Sequence, residues 1–231
     1  MSIQESQRKL YGRRVGRPLR EGLRGLIEQE LPARALTLPD NPEQGLDPQD
    51  CFAQTPDELW LEIGFGGGEH LAAQAEAHPS VGLIGVEFFR NGIAALLRDC
   101  RERNLDNVRI LEDDARLLLN HLPDDSLDRA FLLFPDPWPK TRHHKRRFVQ
   151  RETLDALARV LKPGAEFRLA SDDPGYQVWM LRHMMDHPAF EWTARRPRDW
   201  QQRCQDWPAT RYEEKAIAEG RQPIFLKFRR R

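Results

Sequence analysis

Cysteine is scarce in this chain. Cys51, Cys100 and Cys204 are the only three in 231 residues, and they lie far apart. They offer no metal-ligand spacing, and an odd, scattered set argues against a disulfide framework. A reducing cytoplasm is the simplest setting. No run of 18 apolar residues occurs, so no membrane span is expected. The opening "MSIQESQRKLYGRRVGR" has no apolar core and does not read as a secretory signal. Internal repeats are absent too. So is net charge, because 36 Lys and Arg balance 36 Asp and Glu.

That balance hides an asymmetry. Residues 37–128 carry 19 acidic and 6 basic residues, a net of −13, and the remainder carries 17 acidic and 30 basic, a net of +13. Such blocks can be no more than solvated faces. The sharper alternative is an acidic half beside a basic half that binds phosphate. Hydrophobic residues at 39% and charged residues at 31% suit a globular chain, and the length suits one sizeable core.

The order of elements is legible from periodicity. Residues 1–36 read as a basic arm with a short helix near 19–30. Residues 37–57, with four prolines and many acids, read as a loop. From residue 59 onward, short apolar runs alternate with amphipathic ones. Strands are predicted at 59–63, 81–87, 108–113, 128–134 and 165–171, and helices at 69–78, 91–104, from 115, 148–161 and 175–186. A final pair of strands is predicted at 190–196 and 223–230, joined by a long connection. This alternation predicts an α/β fold with a doubly wound, mostly parallel seven-stranded sheet. The last pair lacks a marked crossover helix, so it is expected to form an antiparallel edge. Residues 37–231 are expected to form a single domain.

The first strand runs into "LEIGFGGGEH", which puts Gly64, Gly66 and Gly68 in a turn before a helix. A glycine-rich strand-to-helix turn lets a ligand approach the backbone closely. Glu62 lies just before it. Glu87 ends the second strand, where a carboxylate can accept both ribose hydroxyls. Asp114 ends the third, where it can accept from an adenine amino group. NAD would suit Glu87 as well. The chain is short for a dinucleotide-binding half plus a substrate region, however, and Glu69 is an awkward neighbour for a pyrophosphate at a helix N-terminus. S-adenosylmethionine has no phosphate and carries a sulfonium cation, which acids favour.

After the fourth strand comes "FPDPWPKTRHHKRR", residues 134–147. Its prolines restrain the corner that carries Asp136 and Trp138, and a basic run follows at once. Lys140, Arg142, Lys145, Arg146 and Arg147 are all candidates for phosphate contacts. His143 and His144 have no third ligand nearby, so no metal is expected.

Together, "LEIGFGGGE", "FPDPWPKTRHHKRR", "ASDDPGY" (170–176) and "TRYEEKA" (210–216) resemble, in this order, the bacterial tRNA (guanine-N7)-methyltransferase family. The resemblance runs over about residues 11–230 and includes the basic stretch "YGRRVGRPLREG". It implies a class I methyltransferase fold, S-adenosylmethionine as cofactor and tRNA as partner, methylated at N7 of the variable-loop guanine. It needs no membrane and no obligate protein partner. It also implies roles by position. Glu62, Gly64, Gly66, Glu87 and Asp114 would bind the cofactor, with Asp136 beside it as the catalytic acid residue. Lys140 and Asp172 would contact the substrate nucleotide, and Thr210, Arg211, Tyr212 and Glu213 would form a further substrate segment. Asp173 stands where many relatives carry an aromatic residue, so either acid of the pair could face the site. Asp136 is expected to accept from guanine N1 and N2, a donor pair that adenine lacks. Two other readings are a methyltransferase acting on an exocyclic amine and a non-catalytic RNA-binding module.

Overall fold

The computed structural model describes Tyr11, Gly16 and residues 18–231. The rest of the basic arm lies outside the described residues. Helix α1 (Glu21–Arg34) packs on the domain through buried Leu26 and Ile27, and Arg34 donates to the Leu105 carbonyl. Then β1 (Glu58–Ile63), α2 (Glu69–Ala77), β2 (Val81–Val86), α3 (Arg90–Arg103), β3 (Val108–Leu111), α4 (Ala115–His121) and β4 (Leu127–Leu133) follow in alternation. A 3-10 turn covers Thr141–Arg146. After it come α5 (Arg151–Val160), β5 (Leu161–Ser171), α6 (Pro174–Met185), β6 (Phe190–Trp192), α7 (Arg198–Gln201), α8 (Arg211–Ala218) and β7 (Ile224–Arg230).

The seven strands lie in the order β3-β2-β1-β4-β5-β7-β6. The first five are parallel, and β7 runs antiparallel to both β5 and β6. Strands β1 and β2 are almost wholly buried, as expected of parallel strands covered on both faces. Each face has its own core. Leu59, Leu61 and Ile63 point toward the cluster that holds Leu118, Leu157 and Met180. Trp60 and Leu83 point toward the other, with Leu71, Leu97 and Trp207. Period-two alternation along β1 sorts its residues between them.

Local chemistry fixes the helix starts. Asp114 caps α4 by accepting from the Arg116 amide, Asp173 caps α6 ahead of Pro174, and Thr210 caps α8. Gln150 and Thr153 form a reciprocal capping box on α5.

Three details differ from the sequence expectation. Strand β5 starts at Leu161, directly after α5, because Leu161 already pairs with Leu127; the Pro163-Gly164 step is absorbed as an irregularity in that ladder. The strand expected at 190–196 is only Phe190–Trp192. The long connection before β7 holds two short helices, α7 and α8.

Candidate active site

A cavity of about 140 Å³ opens at the carboxyl ends of β1, β2 and β4, lined among others by Gly64, Glu87, Asp114, Asp136, Trp138 and Arg146. The turn after β1 holds Gly64, Gly66 and Gly68 at φ +69°, +55° and +80°, values that side chains other than glycine rarely adopt. The start of α3 presses on this turn from behind. A Cβ on Gly92 would lie 1.9 Å from the Gly66 carbonyl oxygen, so only glycine permits the approach. Gly92 escaped the sequence reading because nothing around it marks a turn.

Glu87 is held by three backbone amides. Oε2 accepts from Gly66 at 2.9 Å, and Oε1 accepts from Phe88 at 2.8 Å and Phe89 at 3.0 Å. Burial pushes its pKa up, the three donors pull it back, and the neighbouring Asp136 charge adds to the rise. Each carboxylate oxygen has two lone pairs; Oε1 gives both to Phe88 and Phe89, and Oε2 keeps one that can accept from a ligand hydroxyl. Asp114 lies beside it, buried, paired with Arg116 at 3.1 Å.

The corner after β4 is bracketed by two non-glycine residues in the left-handed region, Phe134 at φ +50° and Trp138 at φ +45°. The Phe134 amide donates to Ala170 on β5, and Arg147 Nε donates to the Pro137 carbonyl at 2.8 Å. The corner is therefore pinned from both sides, with Asp136 at the cavity mouth. Partial burial raises the Asp136 pKa.

The basic run divides. Arg147 is buried and lies over the Tyr176 and Trp179 rings, and Arg146 lies over Trp138 and Tyr11. Arg147 supports the corner from inside the fold, which corrects the expectation that it faces phosphate, and half-buried Arg146 lines the cavity. Lys140, Arg142 and Lys145 are exposed.

Glu62, expected in the cofactor site, does not line this cavity. It has the same parity as Trp60 and points beneath α2, where Oε2 meets His70 Nδ1 at 2.7 Å, both side chains at most 3% exposed. The substrate residues are separated likewise. Asp172 pairs with Arg221, and Asp173 is committed to the α6 cap. Thr210 caps α8, and Glu213 accepts from Arg203 at 3.0 Å. Arg211 pairs with Glu69. The exposed Tyr212 ring crosses the glycine turn, so a Cβ on Gly66 would sit 3.0 Å from it. Burial raises the Tyr212 pKa, and the nearby Glu87 and Asp136 charges add to the rise. Tyr11 also lines the cavity, edge-on to Trp138 at 6.3 Å, a role the sequence did not mark.

Residues 56–226 match a family model described as "Putative methyltransferase". A tRNA (guanine-N(7)-)-methyltransferase of Rhodospirillum rubrum is 53% identical over 96% of this chain and 88% of its own length. One of Paramagnetospirillum magneticum is 53% identical over 96% and 93%. The chain belongs to the tRNA (guanine-N7)-methyltransferase family. Among solved structures, TrmN from Thermus thermophilus superposes with a TM-score of 0.54 at 15% identity, covering 76% of this chain and 45% of that one. The 16S rRNA methyltransferase KamB superposes at 0.52 and 16%, covering 76% and 89%. At such identities the likeness carries the fold alone; it is the doubly wound sheet that the alternation predicts, in the class I methyltransferase form that the resemblance implies. Membership also gives the acid corner and the basic run a common context, since both lie within the matched residues. Among the described residues, no helix is long and apolar enough to cross a membrane.

Proposed function

We propose that this protein transfers a methyl group from S-adenosylmethionine to N7 of guanine in tRNA, at the variable loop. The observation that carries the reading is one cavity lined by the acids Glu87, Asp114 and Asp136, in a chain about half identical to enzymes of that name along nearly its whole length.

The residues fit the cofactor. Glu87 stands at the end of β2 with a lone pair on Oε2 left for a ribose hydroxyl, and Asp114 stands at the end of β3. A third acid, Asp136, faces the same space, which favours a cation and disfavours a pyrophosphate. When bound, S-adenosylmethionine supplies a methyl group on a positively charged sulfur. Guanine N7 has an in-plane lone pair and no proton, so no general base is needed to free it. The protein's task is then positioning and charge stabilisation. Asp136 would accept from guanine N1 and N2, select guanine over adenine, and offset the positive charge that methylation leaves on the ring. The pinned corner holds it for that role. Lys140, Arg142 and Lys145 would neutralise backbone phosphates beside the target. Tyr212 would hold the nucleotide from the far side of the glycine turn, with Thr210, Arg211 and Glu213 fixing its helix.

Residues 37–231 would act as one catalytic domain, with α1 of the basic arm packed onto it through Leu26 and Ile27. A tRNA substrate places this work in the cytoplasm, and no second protein is required. The test is mass spectrometry of nucleosides from unmodified tRNA after incubation with protein and cofactor. The expected product is 7-methylguanosine. A transcript with 7-deazaguanine should bind normally and accept no methyl; continued transfer to it would move the reaction to an exocyclic amine.

A further inference from the structure

A line of buried polar contacts runs beneath the glycine turn, on the side away from the cavity. It starts at Glu62, whose Oε2 is 2.7 Å from His70 Nδ1. One turn further along α2, the Gln74 amide nitrogen is 3.4 Å from His70 Nε2 and donates to the Asp206 carbonyl at 2.6 Å. These partners assign the imidazole a proton on Nδ1, donated to Glu62, and a lone pair on Nε2, offered to Gln74. The Asp206 carboxylate is clamped by Arg168 at 2.7 Å. Trp207 packs edge-on to the His70 ring at 6.2 Å and to Phe225 at 5.4 Å. Arg203 then joins the Trp207 carbonyl to Glu213 in the first turn of α8. On the outer surface the same helix α2 holds the same segment again, through the Glu69–Arg211 pair.

This cluster is a poor way to gain stability. A buried ionisable pair costs desolvation that an apolar pair would not. Gln74 Oε1 and Trp207 Nε1 are buried and have no hydrogen-bond partner among the described residues. What the cluster does fix is a location. Residues 203–213 lie in the long connection before β7, and their end carries Tyr212 against Gly66. His70 and Gln74, four residues apart on one helix face, are the inner anchors.

We propose that His70 and Gln74 are positioning residues: they set where the 203–213 segment lies, and through it where Tyr212 stands over the glycine turn. The proposal rests on the reading that this segment holds the substrate nucleotide. It couples the strand that carries the glycine turn to the segment that meets the RNA, with no direct contact between His70 or Gln74 and either ligand.

Gln74→Met tests it, because the change keeps shape, removes the link to Asp206 and leaves the Glu62–His70 pair intact. Amide exchange at residues 211–216 should become about tenfold faster, with β2 and α3 unchanged. The KM for tRNA should rise about fivefold or more, the loss expected of one hydrogen bond, while kcat and the affinity for S-adenosylhomocysteine stay within about twofold. In a Tyr212→Ala background, Gln74→Met should raise the KM no further. Unchanged exchange would refute the anchor. Faster exchange with an unchanged KM, or fully additive KM effects, would refute its role in positioning Tyr212. A wild-type protein that leaves tRNA unmethylated would instead defeat the functional reading, and exchange would then decide the anchor alone. Should Gln74→Met fail to fold, Arg203→Met cuts the same connection nearer the surface, and the same exchange and KM criteria decide.

Discussion

Glu62 and Glu87 end neighbouring strands of one sheet and differ in almost everything else. Glu62 is the penultimate residue of β1, so its side chain is committed to one face, where His70 seals it in. Glu87 lies one residue past β2, free of the pleat, and turns back over the glycine turn to collect three backbone amides. A carboxylate at a strand end is therefore not yet a ligand-binding group. One that has left the strand can be aimed at the cavity, and one still within it obeys the alternation.

The largest effect should come from the acid that faces the cavity with no amides holding it. Asp136→Asn should lower kcat roughly 100-fold, the size of a lost preorganised electrostatic contact, while affinity for S-adenosylhomocysteine changes little. A loss of affinity instead would move Asp136 from the substrate to the cofactor. The next pair breaks the comparison directly. Glu87→Ala should weaken S-adenosylhomocysteine binding tenfold or more by calorimetry, about 1.5–3 kcal/mol for bonds to a charged acceptor. Glu62→Ala should leave that affinity much less changed and lower unfolding free energy by about 1–3 kcal/mol, the cost of an orphaned buried partner. If the two variants behave alike, the contrast drawn from their geometry is wrong.

A milder effect separates the basic residues. Replacing Arg142 and Lys145 with Ala should flatten the log–log salt dependence of tRNA binding by about 1–2 units. Arg147→Ala should leave that slope alone and reduce thermal stability, because its guanidinium supports Pro137 from within. The smallest effect is a pH dependence. Glu87 and Asp136 both have raised pKa values, so between the ordinary carboxylate range and those raised values the folded protein binds more protons than the unfolded chain. Folding stability should therefore fall as pH rises through that window, while affinity for the cationic cofactor rises through it as the two acids ionise. Glu87→Gln should reduce both slopes in denaturant and calorimetric titrations across mildly acidic pH.

Much of this architecture was readable from the chain because strand-helix alternation is a local signal. The glycine turn, the acids at strand ends and the proline corner all fell at the carboxyl edge of the sheet, where such folds bind ligands. The misreadings have a common cause. Arg147 continues a charged run that looks solvated, and only the tertiary placement of Tyr176 and Trp179 gives it aromatic faces to cover. His70 and Gln74 sit on a short helix among alanines, and their partner Asp206 lies 132 residues beyond Gln74. Strand β5 took in a Pro-Gly step because pairing with Leu127 outweighed it. Periodicity reports which face of an element is apolar, and it is silent on which distant segment will cover that face.

The sheet order also has a consequence for the time course of synthesis. Strand β6 is made before β7, yet among the described residues its ladder is with β7, which inserts between it and β5. While the chain is still being translated, β5 is an open edge and Phe190–Trp192 has nothing to pair with. The first five strands can assemble as they emerge, but the edge must wait for Ile224–Arg230. When that segment arrives it completes two ladders at once, one on each side. A ribosome paused between β6 and β7 would therefore hold a nascent chain with the glycine turn and the acid corner built and the β5 edge still bare.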